Sequence, residues 1–130
     1  MGDNSSLSQK CPVNEAVKII SKKWVILIVR DMFFGKTHFN QFKEDKPNLS
    51  NKVLSNCLKE MESNSLIIRI VNPEDNKNTE YKLTDKGLAL NKVIYELACF
   101  TLATDIDNKY YTDKTKKDIE KTFKEILNIK

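Results

Sequence analysis

Apolar residues recur at helical spacing over most of this chain and at strand spacing in one segment. Val13, Ala16, Val17 and Ile20 fall at i, i+3, i+4 and i+7, which predicts an amphipathic helix. Pro12 suits its first position, where a missing N–H costs nothing, so Cys11 sits at or next to the N-cap. From Trp24 to Phe33 the chain is apolar nearly all round, with Lys22 and Lys23 before it and Gly35 after it. That predicts one buried helix at the centre of the core. Its β-branched residues also suit a strand, but the glycine and the helical neighbours favour helix. Phe39 and Phe42 mark a short helix that Thr37 can cap. Pro47 ends it, because it pushes Lys46 out of the helical region. Behind an N-cap at Ser50, Val53, Leu54, Cys57, Leu58 and Met61 form the buried face of the next helix.

Ser65 to Asn72 then reads as a strand, Pro73 to Asn78 as turn, and Thr79 to Thr84 as a second strand. Together they predict a β-hairpin with a polar tip. Thr84 and Asp85 suit the start of one long helix running to Ile106. Ile119, Phe123, Ile126 and Leu127 mark a terminal helix, with Thr115 and Asp118 placed as a capping box. Three helices followed by a two-stranded hairpin outline a winged helix–turn–helix. The expected fold class is therefore mainly α with a small β-hairpin (α+β), with extra N- and C-terminal helices for dimerisation. Residues 1–10 are expected to be disordered, 11–108 to form the domain, and 109–130 to be a helical extension.

The polar residues of the fourth helix stand out. Opposite its apolar positions lie Lys52, Ser55, Asn56, Lys59 and Ser63, flanked by Asn51, where an ordinary solvated face is rich in Glu, Lys and Arg. Composition adds few constraints. The 130 residues carry net charge +4 with no basic block, so any nucleic-acid binding must come from placement. The presence of only 3 Gly and 3 Pro argues against a loop-rich or all-β fold. Three cysteines without CxxC spacing and a single His argue against zinc. An odd count points to free thiols in a cytoplasmic protein. The longest apolar run, Trp24 to Val29, is too short to cross a membrane, and the N-terminus lacks the apolar stretch of a signal peptide. No catalytic constellation is readable around His38, so neither an enzyme nor a cofactor is expected.

Taken in order, Cys11-Pro12 with Lys23-Trp24, then Phe39, then Leu49-Ser50…Leu54…Leu58…Met61, then Leu66…Arg69, then Tyr81-Lys82-Leu83-Thr84 with Gly87 resemble the HxlR-type branch of bacterial winged helix–turn–helix, MarR-like regulators. The resemblance covers about Cys11 to Phe100. It implies a homodimer zipped by N- and C-terminal helices that binds a double-stranded DNA operator to control transcription. In some members a cysteine in the Cys-Pro motif responds to electrophiles or oxidants. This chain departs from the family pattern at three places. Ser65 replaces the glycine that closes the recognition helix, His38 replaces an arginine, and the wing tip carries Glu74 and Asp75 in place of a proline pair.

On that frame the candidate base readers and nearby phosphate contacts on the recognition helix are Ser50, Asn51, Lys52, Ser55, Asn56 and Lys59. By pattern alone the same residues are also those of a solvated helix. Arg69, Asn76, Lys77 and Asn78 are the wing candidates, equally readable as a solvated tip. Thr37 and His38 stand at the start of the helix–turn–helix. Cys11 is the candidate redox site, since a helix N-terminus and Lys10 favour a thiolate there. Cys57 reads as an inert core thiol, and Cys99 as interface or core. Trp24, Phe33, Phe34, Phe39 and Phe42 read as core. Two alternatives stay open: a winged-helix interaction module without DNA binding, and a regulator switched by a small non-covalent effector.

Overall fold

The computed structural model describes residues 11–130, with the side chains of Asn76 and Lys77 outside the description. The start expected to be disordered, residues 1–10, also lies outside it. Helix α1 (Pro12–Ile20) begins behind Cys11 as its N-cap. Then come α2 (Lys23–Phe33), α3 (Phe39–Lys43) and α4 (Asn51–Ser63). Strand β1 (Ile67–Asn72) pairs antiparallel with β2 (Asp75–Leu83), Ile67 opposite Leu83 and Arg69 opposite Tyr81. Next are α5 (Asp85–Leu88), α6 (Asn91–Thr104), a 3₁₀ turn (Ile106–Asn108) and α7 (Asp113–Ile126). This is the winged helix–turn–helix order that the sequence predicts. Val25, Ile28 and Val29 of α2 meet Phe42, Leu49, Leu54, Leu58, Met61, Leu66 and Ile67 in one core, which Ile94 and Leu127 complete.

Several local expectations change. Helix α2 is not enclosed on all sides: Trp24, Ile26, Leu27 and Phe33 are only half-buried. His38, not Thr37, is the N-cap of α3, and the Gln41 carboxamide oxygen accepts both the Thr37 and His38 N–H groups. The hairpin turn is Pro73-Glu74 alone, and residues 75 to 78 extend β2. The single long helix is two. Leu90 N–H bonds the Gly87 carbonyl three residues back, which tightens the chain before α6 restarts at Asn91. The capping box expected at Thr115 and Asp118 gives way to a simple cap, because Thr112 is the N-cap and accepts from Thr115 N–H at 3.1 Å.

Three helices close with the same hydrogen-bond pattern and three different residues. After α2, Lys36 N–H bonds Asp31 C=O and Gly35 N–H bonds Met32 C=O, with Gly35 at φ +100. After α7, Ile129 bonds Lys124 and Asn128 bonds Glu125, with Asn128 at φ 56. After α4, Leu66 bonds Met61 and Ser65 bonds Glu62, with Ser65 at φ 62. This paired closure satisfies helix-end carbonyls and demands a left-handed residue. Glycine meets the demand freely and asparagine at modest cost, whereas serine carries a Cβ penalty. Asn64, the alternative position for the strain, keeps φ −84. The apolar contact that goes with this closure is made by Leu66, which is buried.

One glycine is required by space rather than by φ. A Cβ on Gly87 would stand 2.2 Å from the Leu66 carbonyl oxygen. That oxygen also accepts from Thr84 N–H at 3.0 Å and from Thr84 Oγ1 at 3.1 Å. Helix α5 is thereby pressed onto the point where α4 turns into β1.

Relief of the strain at Ser65 is measurable. Ser65→Gly should raise stability by about 0.5–1 kcal/mol, the steric gain being partly offset by the freer unfolded chain. Urea denaturation should show a higher midpoint with an unchanged slope; a lower midpoint would mean that the serine side chain stabilises this closure.

Candidate nucleic-acid interface

The entry to α4 is set by a cluster of charges around one buried pair. Asp31 on α2 and Lys46 in the turn before α4 are 4% and 5% exposed, and they pair directly. Arg30 Nη2 reaches Asp31 at 2.8 Å and Asp45 at 3.5 Å, while Lys46 also meets Asp45 at 2.8 Å and Lys36 approaches it at 3.6 Å. The hydrogen bond from Lys46 holds the Asp45 carboxyl below the usual carboxylate range. The Lys46 carbonyl then accepts Leu49 N–H at 3.0 Å, and Ser50 Oγ accepts Val53 N–H at 3.1 Å to start α4. A buried pair of this kind is costly to break, because one partner would be left charged and alone. Sequence reading passed over Lys46 and Asp31; the available signal was one acid inside an apolar run.

On α4, Leu54, Cys57, Leu58 and Met61 face the core. Lys52, Asn56 and Lys59 are exposed and Ser55 is half-buried. Val53 does not join the core as expected: it is 44% exposed and stands among the polar residues. The helical spacing allowed either placement, because Val53 lies at the edge of the apolar stripe. Two candidates have partners within the fold. The Ser50 hydroxyl is taken by its capping bond, and Asn51 Oδ1 accepts from Lys43 Nζ on α3.

The wing is tied to the helix–turn–helix start. His38 bridges Glu80 in antiparallel fashion, and Tyr81 N–H bonds Thr37 C=O at 2.8 Å. His38 Nε2 meets Asn78 Oδ1 at 3.0 Å, and its Nδ1 meets Thr37 Oγ1 at 2.8 Å. Thr37, His38 and Asn78 therefore form one lattice at the base of the hairpin. Arg69 lies elsewhere, in a cleft of about 230 Å³ shared with Ser55, Lys59, Glu62 and Tyr81. The fold thus brings Arg69 to the recognition helix and sets Asn78 apart from it. Of Asn76 and Lys77, the side chains lie outside the described residues.

The three cysteines form no disulfide and differ in setting. Cys57 is buried beside Met61, 3.8 Å between sulfurs. Burial and the nearby Glu60 charge push its thiol up to about 11. Cys11 is half-buried at the N-cap of α1, where its side chain makes no capping bond. Cys99 is half-buried on α6, facing Lys116 and Glu120 of α7. Among the described residues, no cluster of His, Cys, Asp or Glu could hold a metal ion, and no helix is long and apolar enough to cross a membrane.

A supporting helix, a short helix, a second helix with an exposed polar face and a hairpin bound to their entry define a winged helix–turn–helix protein. A model of the HxlR-like helix-turn-helix family matches residues 19–106. The HTH-type transcriptional regulator YvaP of Bacillus subtilis (strain 168) is 44% identical over 92 residues, 70% of this chain and 85% of that protein. YodB of the same organism, also an HTH-type transcriptional regulator, is 38% identical over 88 residues, 67% of this chain and 79% of that one. Among solved structures, the redox regulator HypR in its reduced form superposes with TM-score 0.69 at 25% identity, covering 77% of this chain and 99% of that chain. Quinone-bound YodB from B. subtilis superposes with TM-score 0.60 at 33% identity, covering 70% and 96%. The chain belongs to the HxlR-like helix-turn-helix family. It is a transcriptional regulator of that type.

The thiol settings lead to an ordered reactivity. With its pKa near 11, Cys57 is protonated at neutral pH and should resist iodoacetamide in the folded protein until the pH approaches that value. Mass spectrometry after brief labelling at pH 7.5 should find Cys57 unmodified and become fully labelled only in denaturant. Prompt native labelling of Cys57 would contradict its burial.

Proposed function

We propose that the chain is a cytoplasmic, homodimeric regulator that places α4 in the major groove of a double-stranded operator. The observation that carries this reading is the exposed face of α4, where Lys52, Asn56 and Lys59 surround Val53 beside half-buried Ser55. Asn reads adenine edges with two bonds, Ser and Lys pair with base edges or phosphates, and an apolar side chain suits the thymine methyl. Ser50 and Asn51 act mainly by fixing the N-terminal turn, since their side-chain oxygens serve the cap and Lys43. From their common cleft, Arg69 and Lys59 reach phosphate. Thr37, His38 and Asn78 act by holding the wing against the helix–turn–helix entry, and Asn76 and Lys77 at the wing extend the phosphate contact.

Uncovered apolar side chains on α1 and α6 support the dimer reading. Val13 and Val17 are 67% and 49% exposed, and Leu97 and Phe100 are 48% and 68% exposed. A two-fold partner would bury them and set two α4 helices against half-sites about one helical turn apart. Cys11 heads α1, so its oxidation or alkylation would change packing at this seam and release DNA. Support for such a switch comes from HypR, a redox regulator solved in oxidised and reduced forms, and from YodB, solved with a bound quinone.

Fluorescence anisotropy with the chain's own promoter DNA tests the interface. Ser55→Ala and Asn56→Ala should each lose about 1–3 kcal/mol of operator affinity, and Lys52→Ala should lower the log–log salt slope by about 1. Unchanged affinity in all three variants would remove α4 from the interface. For the switch, diamide or a quinone should release the wild-type protein from DNA and leave Cys11→Ser bound. A Cys11→Ser protein that still lets go would exclude Cys11 as the sensor.

A further inference from the structure

The chain carries one histidine, and the fold seats it where the wing meets the helix–turn–helix. Both ring nitrogens of His38 are engaged. Nδ1 meets Thr37 Oγ1 at 2.8 Å, while Nε2 faces two oxygens of β2, Asn78 Oδ1 at 3.0 Å and Glu80 Oε1 at 3.9 Å. The two backbones are joined at the same place, where Tyr81 N–H donates to Thr37 C=O at 2.8 Å.

A neutral imidazole has a single N–H for these sites. With the proton on Nε2, Asn78 is served and Nδ1 accepts from the Thr37 hydroxyl. With the proton on Nδ1, Nε2 turns a lone pair toward two oxygens. The imidazolium donates from both nitrogens and adds a charge that Glu80 attracts. The cations of the neighbouring segments oppose this little. Lys36 is drawn to Asp45 at 3.6 Å, and Lys43 of α3 donates to Asn51. Lys82 lies two residues along β2 from Glu80, on the same face of the strand, but it is exposed and screened by water. Opposite Glu80 on β1 stands the uncharged Ile70. The positive end of α3 also works against the charge, though α3 has only five residues. Glu80 is therefore the dominant charge at the ring, and a proton on His38 strengthens the tie to β2. The two side chains are 37% and 43% exposed, so the gain is modest.

We propose that His38 is a proton-controlled positioning residue for the wing: the imidazolium, held by Thr37, Asn78 and Glu80, closes β2 onto the helix–turn–helix entry, and the neutral ring holds it less firmly. Closure is then greatest in acid and falls as the ring loses its proton with rising pH. Arg69 rides on the same hairpin, opposite Tyr81, so a firmer wing would hold the operator more tightly. That consequence rests on the DNA-binding reading above; closure of the wing does not.

Nuclear magnetic resonance on the full chain reads the closure directly. As pH falls from about 8 to about 6, the His38 ring and the Tyr81 amide should shift with one midpoint, and protection of that amide from hydrogen exchange should rise about three-fold. His38→Gln, whose side-chain amide still donates but takes up no proton, should hold Tyr81 protection at one level across the range. Glu80→Gln, which removes the charge facing the ring, should cut the rise to roughly half or less. In fluorescence anisotropy with promoter DNA, the wild-type protein should bind about three-fold more tightly at the acid end, and His38→Gln should give a flat profile. A Tyr81 amide indifferent to protonation of His38 would overturn the proposal, and that result needs no variant. So would a rise that persists in His38→Gln, or a full rise in Glu80→Gln. A responding wing in a protein that never binds DNA would leave the closure standing and remove the DNA reading, whereas an operator affinity unmoved while the wing responds would remove only the coupling.

Discussion

The Leu66 carbonyl oxygen is the contact on which the winged unit depends. It accepts two bonds from Thr84, and Gly87 packs so closely that a methyl group there would overlap it. Leu66 ends the recognition helix, Thr84 ends the wing, and Gly87 begins the run to the α6 face. Three elements that act separately are therefore fixed at one atom. The left-handed Ser65 just before it is the backbone consequence, because the chain must reverse sharply to bring Leu66 into the core. Thr84 Oγ1 also donates to the Ser65 carbonyl, so the strained residue is held from outside as well as by its helix.

A second constraint sits at the other end of α4. The pairing of Asp31 with Lys46 places two charges where apolar residues would otherwise pack, and each is satisfied only by the other and by Arg30 and Asp45. Such clusters contribute less to net stability than to fixing one arrangement, since any shift leaves a buried charge exposed to an apolar environment. Here the arrangement fixed is the turn that aims the recognition helix. Arg30 of this cluster also lines an open groove between α2, α6 and α7, so one side chain links the start of α4 to the C-terminal helix.

Between these two anchors, α4 shows solvent a face of Lys, Asn and Ser side chains with one valine among them. Its modest charge agrees with a protein of net charge +4 that relies on geometry to meet DNA. The uncovered apolar residues of α1 and α6 lie on other helices, so pairing of two chains and contact with DNA need not compete for the same surface.

Much of this was legible in the residues themselves. Helical spacing located α1, α2 and α4, and turn chemistry located the hairpin, because local periodicity reports which face is buried. The Ser50 and Thr84 caps were readable for the same local reason. Nearest-neighbour patterns failed where a distant partner decides. Val53 lies at the margin of its stripe, and only the packing of α4 on α2 turns it outward. The break at Leu90 lies beside the packing of Gly87 on Leu66, which is 21 positions away in sequence. Nothing in the local pattern pairs Lys46 with Asp31, 15 positions earlier; the fold brings them together. The sequence by itself determined most of the elements, the order of the winged unit and the family. Tertiary structure alone decided which charges are buried together, which polar side chains stay uncommitted, and that α7 packs beside α2 and α6, because each of these is a relation between segments that share no local pattern.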